Sequence, residues 1–362
     1  MRVALDEQIF AVQPYGGISR LFYEKASAYA RDADLGVSLE RLNAPVVNEY
    51  LLHDRDLSAR LGVTRASGPY RALARYFVRR RRERPVDVVH NTFYLPRGLA
   101  DHRSSKRVVT VYDMIPELLP RTRRRMDFLT KKHTYVRRAD HLVCISESTR
   151  RDLFKVYPDI HAPVTIAYPG VSSAFRPDTP RIEGFPEPYI VHVGNRASYK
   201  DGATLIRAFI SIAGRFPDHT LFLVGGGPLT RDERDALSSS GVLGRVVQRT
   251  LPDAQVPAAY AQAEVTVFPS RYEGFGLPAV EAMASGSPLI LADTSSLPEV
   301  GGGAALYFPP GDDAALGSIL TEALTTQGVR EDLRDGGLAQ ARRFSWTGYA
   351  RANADAYRAV LG

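Results

Sequence analysis

Apolar and polar positions divide the chain into short hydrophobic runs separated by longer amphipathic stretches. Runs at 2–6, 86–90, 108–112 and 141–145 predict strands in the first half, and runs at 189–193, 220–224, 246–247, 265–268 and 289–292 in the second. Helical spacing covers 18–30, 67–83, 127–138, 147–157, 202–214, 254–263, 312–325 and 330–343. Ser146 is placed to cap the helix at 147–157. In the last stretch Trp346, Ala350, Tyr357 and Val360 fall on one helical stripe, which Asn353 interrupts. Strands alternating with helices predict an α/β chain with parallel sheets covered on both faces. The Pro- and Gly-rich segment 168–188 predicts a linker.

At 362 residues the chain exceeds one ordinary core, and size predicts two domains. No run of about 18 apolar residues is present, so no membrane span is expected. Acidic residues at Asp6 and Glu7 stand where a signal peptide needs its apolar core. With Cys144 as its one cysteine the chain fits a reducing cytoplasm. The net charge of +7 is uneven: residues 1–172 hold 30 Lys and Arg against 19 Asp and Glu, and residues 173–362 hold 17 against 21. Arg79–Arg82 with Arg84, Arg121 with Arg123–Arg125, and Lys131-Lys132 carry the excess. A basic half fits an anionic partner such as a membrane surface at the inner face of the cell membrane, and equally a solvated arginine-rich face. No aromatic-interleaved basic motif or zinc spacing points to nucleic acid.

Chemistry concentrates in residues 268–288. A buried strand runs into a glycine-bearing turn, Pro278 opens a helix and Gly286 closes it. Free N–H groups at a helix start suit a phosphate. Two carboxylates, Glu273 and Glu281, flank that site and call for a different partner, for which sugar hydroxyls are suited. Past the strand at 189–193, Gly194 leads to Arg196 and Lys200, two cations suited to a pyrophosphate or, on the plainer reading, a solvated surface pair. Tyr15-Gly16-Gly17 repeats the strand, glycine loop and helix order near the start. Ligands of such sheets bind at strand carboxyl ends, which selects His90, Tyr112-Asp113 and Ser146. A structural role is the simpler one for His90 and a cap for Ser146. Asp113 reads as a site group or a cap.

Together these residues resemble the retaining glycosyltransferases of family 4. Glu273-Gly-Phe-Gly-Leu-Pro-Ala-Val-Glu281 is similar to that family's E-x7-E signature, and 194–200 to its strand-end phosphate motif. Gly225-Gly226-Gly227-Pro228, Pro252-Asp253, Tyr260, Ser296-Leu297-Pro298-Glu299 and Phe344-Ser345-Trp346 stand at matching places. The resemblance implies the GT-B fold, two Rossmann-like doubly wound domains facing across a cleft. Residues 1–172 would bind the acceptor, 173–343 the donor, and 344–362 would form a helix crossing back to the first domain. It further implies transfer of a sugar from a nucleotide diphosphate sugar to an acceptor hydroxyl, with retained configuration and without metal or cofactor.

By the same resemblance Arg196, Lys200, Glu273 and Asp113 would be catalytic. Gly16, Gly17, Tyr112, Gly194, Thr250, Leu251, Phe275, Gly276, Leu277 and Glu281 would hold the donor. The acceptor would be a saccharide, a lipid-linked saccharide or a small molecule, in polysaccharide, glycolipid or glycoconjugate biosynthesis. Tyr112 departs from the family's His-Asp pair, which implies a donor without a 6-hydroxyl, such as a 6-deoxy sugar. Competing readings are an epimerase or phosphorylase on the same fold, and a non-catalytic nucleotide-sugar-binding subunit at a membrane.

Overall fold

The apolar runs build two six-stranded parallel sheets. The structure is a computed structural model that describes residues 1–67, 85–96, 105–119 and 131–362. The expected helix at 67–83, the start of the one at 127–138 and the clusters at Arg79–Arg82, Arg84, Arg121 and Arg123–Arg125 lie largely or wholly outside the described residues. The chain forms two units, one of Met1–Gly170 with Ser345–Gly362 and one of Val171–Phe344.

In the first unit the sheet comprises β1 (Arg2–Leu5), β2 (Ser38–Leu39), β5 (Val88–Asn91), β6 (Lys106–Val111), β7 (His141–Cys144) and β8 (Val164–Ile166), in the order β2-β1-β5-β6-β7-β8. A separate parallel pair, β3 (Pro45–Val46) and β4 (Thr64–Arg65), was not legible in the pattern, because each strand is only two residues long. Helices α1 (Gln8–Val12) and α2 (Gly17–Arg31) follow β1; α3 (Glu49–His53) and α4 (Arg55–Leu61) follow β3. Later come α5 (Ile115–Leu118), α6 (Lys132–Arg137) and α7 (Glu147–Val156). The Ser146 hydroxyl caps α7 by accepting the Thr149 N–H at 2.9 Å. Every residue of β5 and β7 is buried, as expected for strands covered on both faces.

The second unit alternates β9 (Tyr189–Val193), α8 (Gly202–Ile212), β10 (Thr220–Val224), α9 (Arg231–Ser239), β11 (Val246–Arg249), α10 (Val256–Ala261), β12 (Val265–Phe268), α11 (Leu277–Ala284), β13 (Leu289–Ala292), α12 (Leu297–Gly301) and β14 (Leu306–Phe308). Helices α13 (Asp313–Thr325) and α14 (Gln327–Ala341) complete it. Its strand order, β11-β10-β9-β12-β13-β14, reverses direction between β9 and β12. At such a switch point connections leave to opposite sides, so the strand ends open a crevice.

The last helix, α15 (Trp346–Leu361), packs in the first unit against α2, β6, β7 and β8. Asn353, which interrupts its apolar stripe, is fully buried. Its amide donates to the Tyr349 carbonyl at 2.8 Å and its carbonyl oxygen accepts from Lys25 at 3.1 Å. Lys25 also meets His90 Nδ1 at 3.0 Å, and the Tyr357 hydroxyl reaches the same nitrogen at 2.7 Å. His90 is therefore a structural residue of a buried polar group, with Thr110 Oγ1 2.8 Å from its Nε2. Polar groups removed from water must find such partners.

Candidate active site

The switch point joins two loops, one after β9 and one after β12. Past β9, Gly194 has φ +128° and its N–H donates to the Val224 carbonyl at 2.9 Å. The loop then forms a tight turn at Ser198–Lys200, which carries the Lys200 ammonium toward the β12 loop. There Lys200 Nζ donates to both carboxylate oxygens of Glu273, at 2.6 and 2.8 Å. This charge-assisted pair is half-buried, so its strength exceeds that of an exposed surface pair.

Two further links tie the same loops together, and sequence reasoning did not find them. The Arg271 N–H donates to the Tyr199 carbonyl at 2.7 Å, and Arg271 Nε donates to Asp201 Oδ2 at 2.8 Å. Asp201 is itself left-handed at φ +49° and leads into α8. The only signal in the sequence was position: each residue directly adjoins or closely precedes a residue already singled out.

The turn that follows Glu273 is fixed from the loop after β13. Ser295 Oγ accepts the Glu273 N–H at 2.8 Å, and the Ser296 hydroxyl donates to the Glu273 and Phe275 carbonyls at 3.0 and 2.8 Å. Gly276 sits at φ +103°, and a Cβ there would lie 3.1 Å from Leu297 Cδ2. Glycine is thus required both by conformation and by the neighbour. Leu277 and Pro278 then open α11, and Pro278 forgoes an N–H that a first helical turn leaves unpaired. Phe275, Gly276 and Leu277 stand at this helix start. Glu281 lies one turn along, buried, with 9% of its surface exposed. Its charge, after burial, is a cause of the Tyr260 phenol being pushed well above its ordinary value. The Tyr260 hydroxyl is buried and has no hydrogen-bond partner among the described residues.

Arg196 departs from the expectation. Its guanidinium is turned away from Lys200 and buried, with a side-chain exposure of 3%. Nε and Nη2 bond Glu233 at 3.0 and 3.3 Å, Nη1 the Gly225 carbonyl at 3.1 Å, and Nη2 the Gly227 and Pro228 carbonyls at 3.0 and 3.1 Å. A half-buried carboxylate and three carbonyls outcompete solvent for a planar fork of donors. Burial works to raise the Glu233 carboxyl, yet the Arg196 and Thr230 donors outweigh it and hold it below its ordinary value. The two cations expected at one pyrophosphate thus meet different carboxylates here, Arg196 that of Glu233 and Lys200 that of Glu273.

Tyr112 is the second correction. Its ring is 4% exposed and packs near Phe22 and Tyr94, and its hydroxyl donates to the Thr92 carbonyl at 2.8 Å. An apolar pocket with one inward acceptor suits a buried phenol, so the Tyr112 side chain sits in the core. Its neighbour Asp113 accepts the Ile115 N–H at 3.0 Å and faces Lys132, which pairs with Glu117 at 3.0 Å. That arrangement forms the turn into α5.

Gly16 and Gly17 begin α2, where a Gly16 Cβ would meet the Gln13 side chain and the Ser19 N–H donates to Gln13 Oε1 at 2.8 Å. Thr250 and Leu251 leave the edge strand β11 at the same end of the second unit's sheet, Thr250 exposed. Asp6, not read as a site residue in the sequence, directly follows β1 and is buried among Gln8, Asn91 and Thr92; burial raises its carboxyl despite these donors.

Two parallel doubly wound units, the second with paired charges at its switch point, define an α/β protein of the GT-B type. The chain belongs to the family 4 glycosyltransferases: residues 15–175 match the profile described as Glycosyltransferase Family 4 and residues 187–326 that of Glycosyl transferases group 1. It is 29% identical over 286 residues to the O-antigen chain mannosyltransferase B of Escherichia coli, covering 74% of this chain and 72% of that one. With the serotype-specific mannosyltransferase WbdA of Escherichia coli it is 28% identical over 297 residues, 75% of this chain but only 36% of that longer protein. In fold it matches Alr3699/HepE of Anabaena, solved in complex with UDP, at a TM-score of 0.71 and 14% identity over 99% of both chains.

Proposed function

We propose that the protein is a retaining, metal-independent hexosyltransferase that takes a sugar from a nucleoside diphosphate donor held by the second unit. The observation that carries this reading is the Lys200–Glu273 pair at the β9/β12 switch point. A cation there neutralises the leaving diphosphate, and the carboxylate it orients accepts hydroxyls of the donor sugar. Glu281 and the unpartnered Tyr260 hydroxyl supply acceptor and donor atoms for the ribose. The first unit takes the acceptor.

The named relatives transfer mannose, a hexose with a 6-hydroxyl. With Tyr112 in the core, mannose displaces the 6-deoxy sugar as the proposed donor group. O-antigen in the name of one relative favours a growing saccharide as acceptor.

In the reaction the bond from the anomeric carbon to the phosphate oxygen breaks as the acceptor oxygen attacks from the same face. The acceptor hydroxyl proton passes to a β-phosphate oxygen, and charge growing on the diphosphate is met by Lys200 and by N–H groups at the start of α11. Preorganised donors and cations of this kind contribute about 10²–10³ in rate. Incubation with nucleoside diphosphate mannose and saccharide acceptors, read by mass spectrometry, tests the reading. A mannosylated product supports it, and hydrolysis or epimerisation of the donor without any acceptor dependence refutes it.

A further inference from the structure

The Arg196–Glu233 pair is buried polar machinery that the proposed reaction leaves without a task. Its guanidinium gathers the carbonyls of Gly225, Gly227 and Pro228, three dipoles that would repel one another without a cation between them. Gly225, Gly226 and Gly227 are all left-handed, at φ +81°, +70° and +76°, which brings successive carbonyls toward one side. A Cβ on Gly226 would lie 2.7 Å from the Gly194 carbonyl and 2.8 Å from Arg196 Nη1, so the loop is pressed onto the end of β9. Glu233 in turn fixes the guanidinium with two hydrogen bonds. It is held itself by a capping box, in which Thr230 N–H donates to Glu233 Oε2 at 2.8 Å and Glu233 N–H to Thr230 Oγ1 at 3.2 Å.

A trans peptide sets its carbonyl antiparallel to the N–H of the next residue. The cis bond recorded in the described residues is Glu187-Pro188, so the loop peptides are trans. Carbonyls of Gly225 and Pro228 turned onto Arg196 therefore send the Gly226 and Leu229 N–H groups the opposite way. Gly226 is exposed, so its N–H meets solvent or a ligand.

We propose that Arg196 and Glu233 are positioning residues: they lock the 225–228 loop so that the Gly226 and Leu229 N–H groups receive the nucleoside diphosphate of the donor. Arg196 does not itself touch the phosphates. The proposal rests on the glycosyl-transfer reading above and changes one role within it.

The test uses the full chain as wild type, Glu233→Gln, Arg196→Met and the double variant. It reads the affinity for UDP and GDP by calorimetry, amide exchange across 225–229, and the split of donor KM against kcat. Each single variant is expected to speed loop exchange and weaken nucleotide binding about tenfold, with kcat at saturating donor within about threefold. The double variant is expected to lose no more than the worse single one, because the pair acts as a unit. Unchanged loop exchange, additive losses, or an Arg196→Met variant with low kcat at unchanged KM overturns the proposal. Where Arg196→Met fails to fold, Glu233→Gln decides alone: faster exchange with weaker binding supports the clamp, and no change in either overturns it. A wild type that binds neither nucleotide fails the glycosyl-transfer reading, whereas intact wild-type binding unmoved in Glu233→Gln fails only the clamp.

Discussion

A carboxylate beside an anion site is tolerated when a cation holds it, and Lys200 does this for Glu273. Removing the cation should be felt mainly when charge develops on the leaving group. Lys200→Ala is expected to lower kcat by about 10²–10³ with donor KM little changed. Glu281→Ala should instead raise donor KM about tenfold or more at nearly constant kcat, since ribose binding is equal in ground and transition states. Steady-state kinetics with varied donor separates the two, and interchange of the two patterns would contradict both assignments. Cys144 provides a control on the native state: burial pushes its thiol far up. It should resist maleimide in the folded chain and react once the chain is denatured. Lys200 and Glu273, which the structure brings together, were singled out in the sequence by residue type and position past a strand. The directions of Arg196 and Tyr112 were not legible. Arg196 answers to Glu233, 37 residues away, and Tyr112 to the Thr92 carbonyl, 20 residues away.

Among elements, α15 shows how one buried polar group fixes a helix. Tyr357, Asn353 and the Ala350 carbonyl meet His90, Lys25 and the Tyr29 hydroxyl in a buried layer. Tyr357→Phe keeps the volume and strips one hydrogen bond, so it should destabilise the chain by about 1–3 kcal/mol in a denaturant titration. No loss would show that the bond is not made in solution. Acid should weaken the same layer. Burial, and then the Lys25 charge, holds His90 well below its ordinary value; burial lowers His192 too. Unfolded histidine protonates near pH 6.5, about the usual value, so below it the unfolded chain binds more protons than the folded one. The histidine contribution to stability is thus full above about pH 6.5 and falls as the pH drops further. Thermal melts from pH 7.5 to about 5.5 should show a falling Tm, and His90→Gln should flatten the slope. Nine of the twelve strands of the two sheets were read from their apolar runs, with bounds shifted by a residue or two; β2, β8 and β14, two or three residues long, were not. The helices α1 and α12 were not read either; both are five residues long, too short to display a helical period.

For the whole molecule, one chain carries two parallel sheets, and the Lys200–Glu273 pair stands at the reversal of strand order in one of them. The fold class was legible because alternating strand and helix patterns leave few arrangements. The switch point was not legible, since it depends on which strands lie side by side. Charge asymmetry remained a property of composition: its main arginine clusters lie outside the described residues. The most direct test of the account is product analysis by NMR after turnover of nucleoside diphosphate α-mannose with a saccharide acceptor, in wild type and Lys200→Ala. The account predicts an α-mannosyl linkage in wild type, formed about 10²-fold or more slowly by the variant. A β linkage, or equal rates in the two proteins, would contradict it.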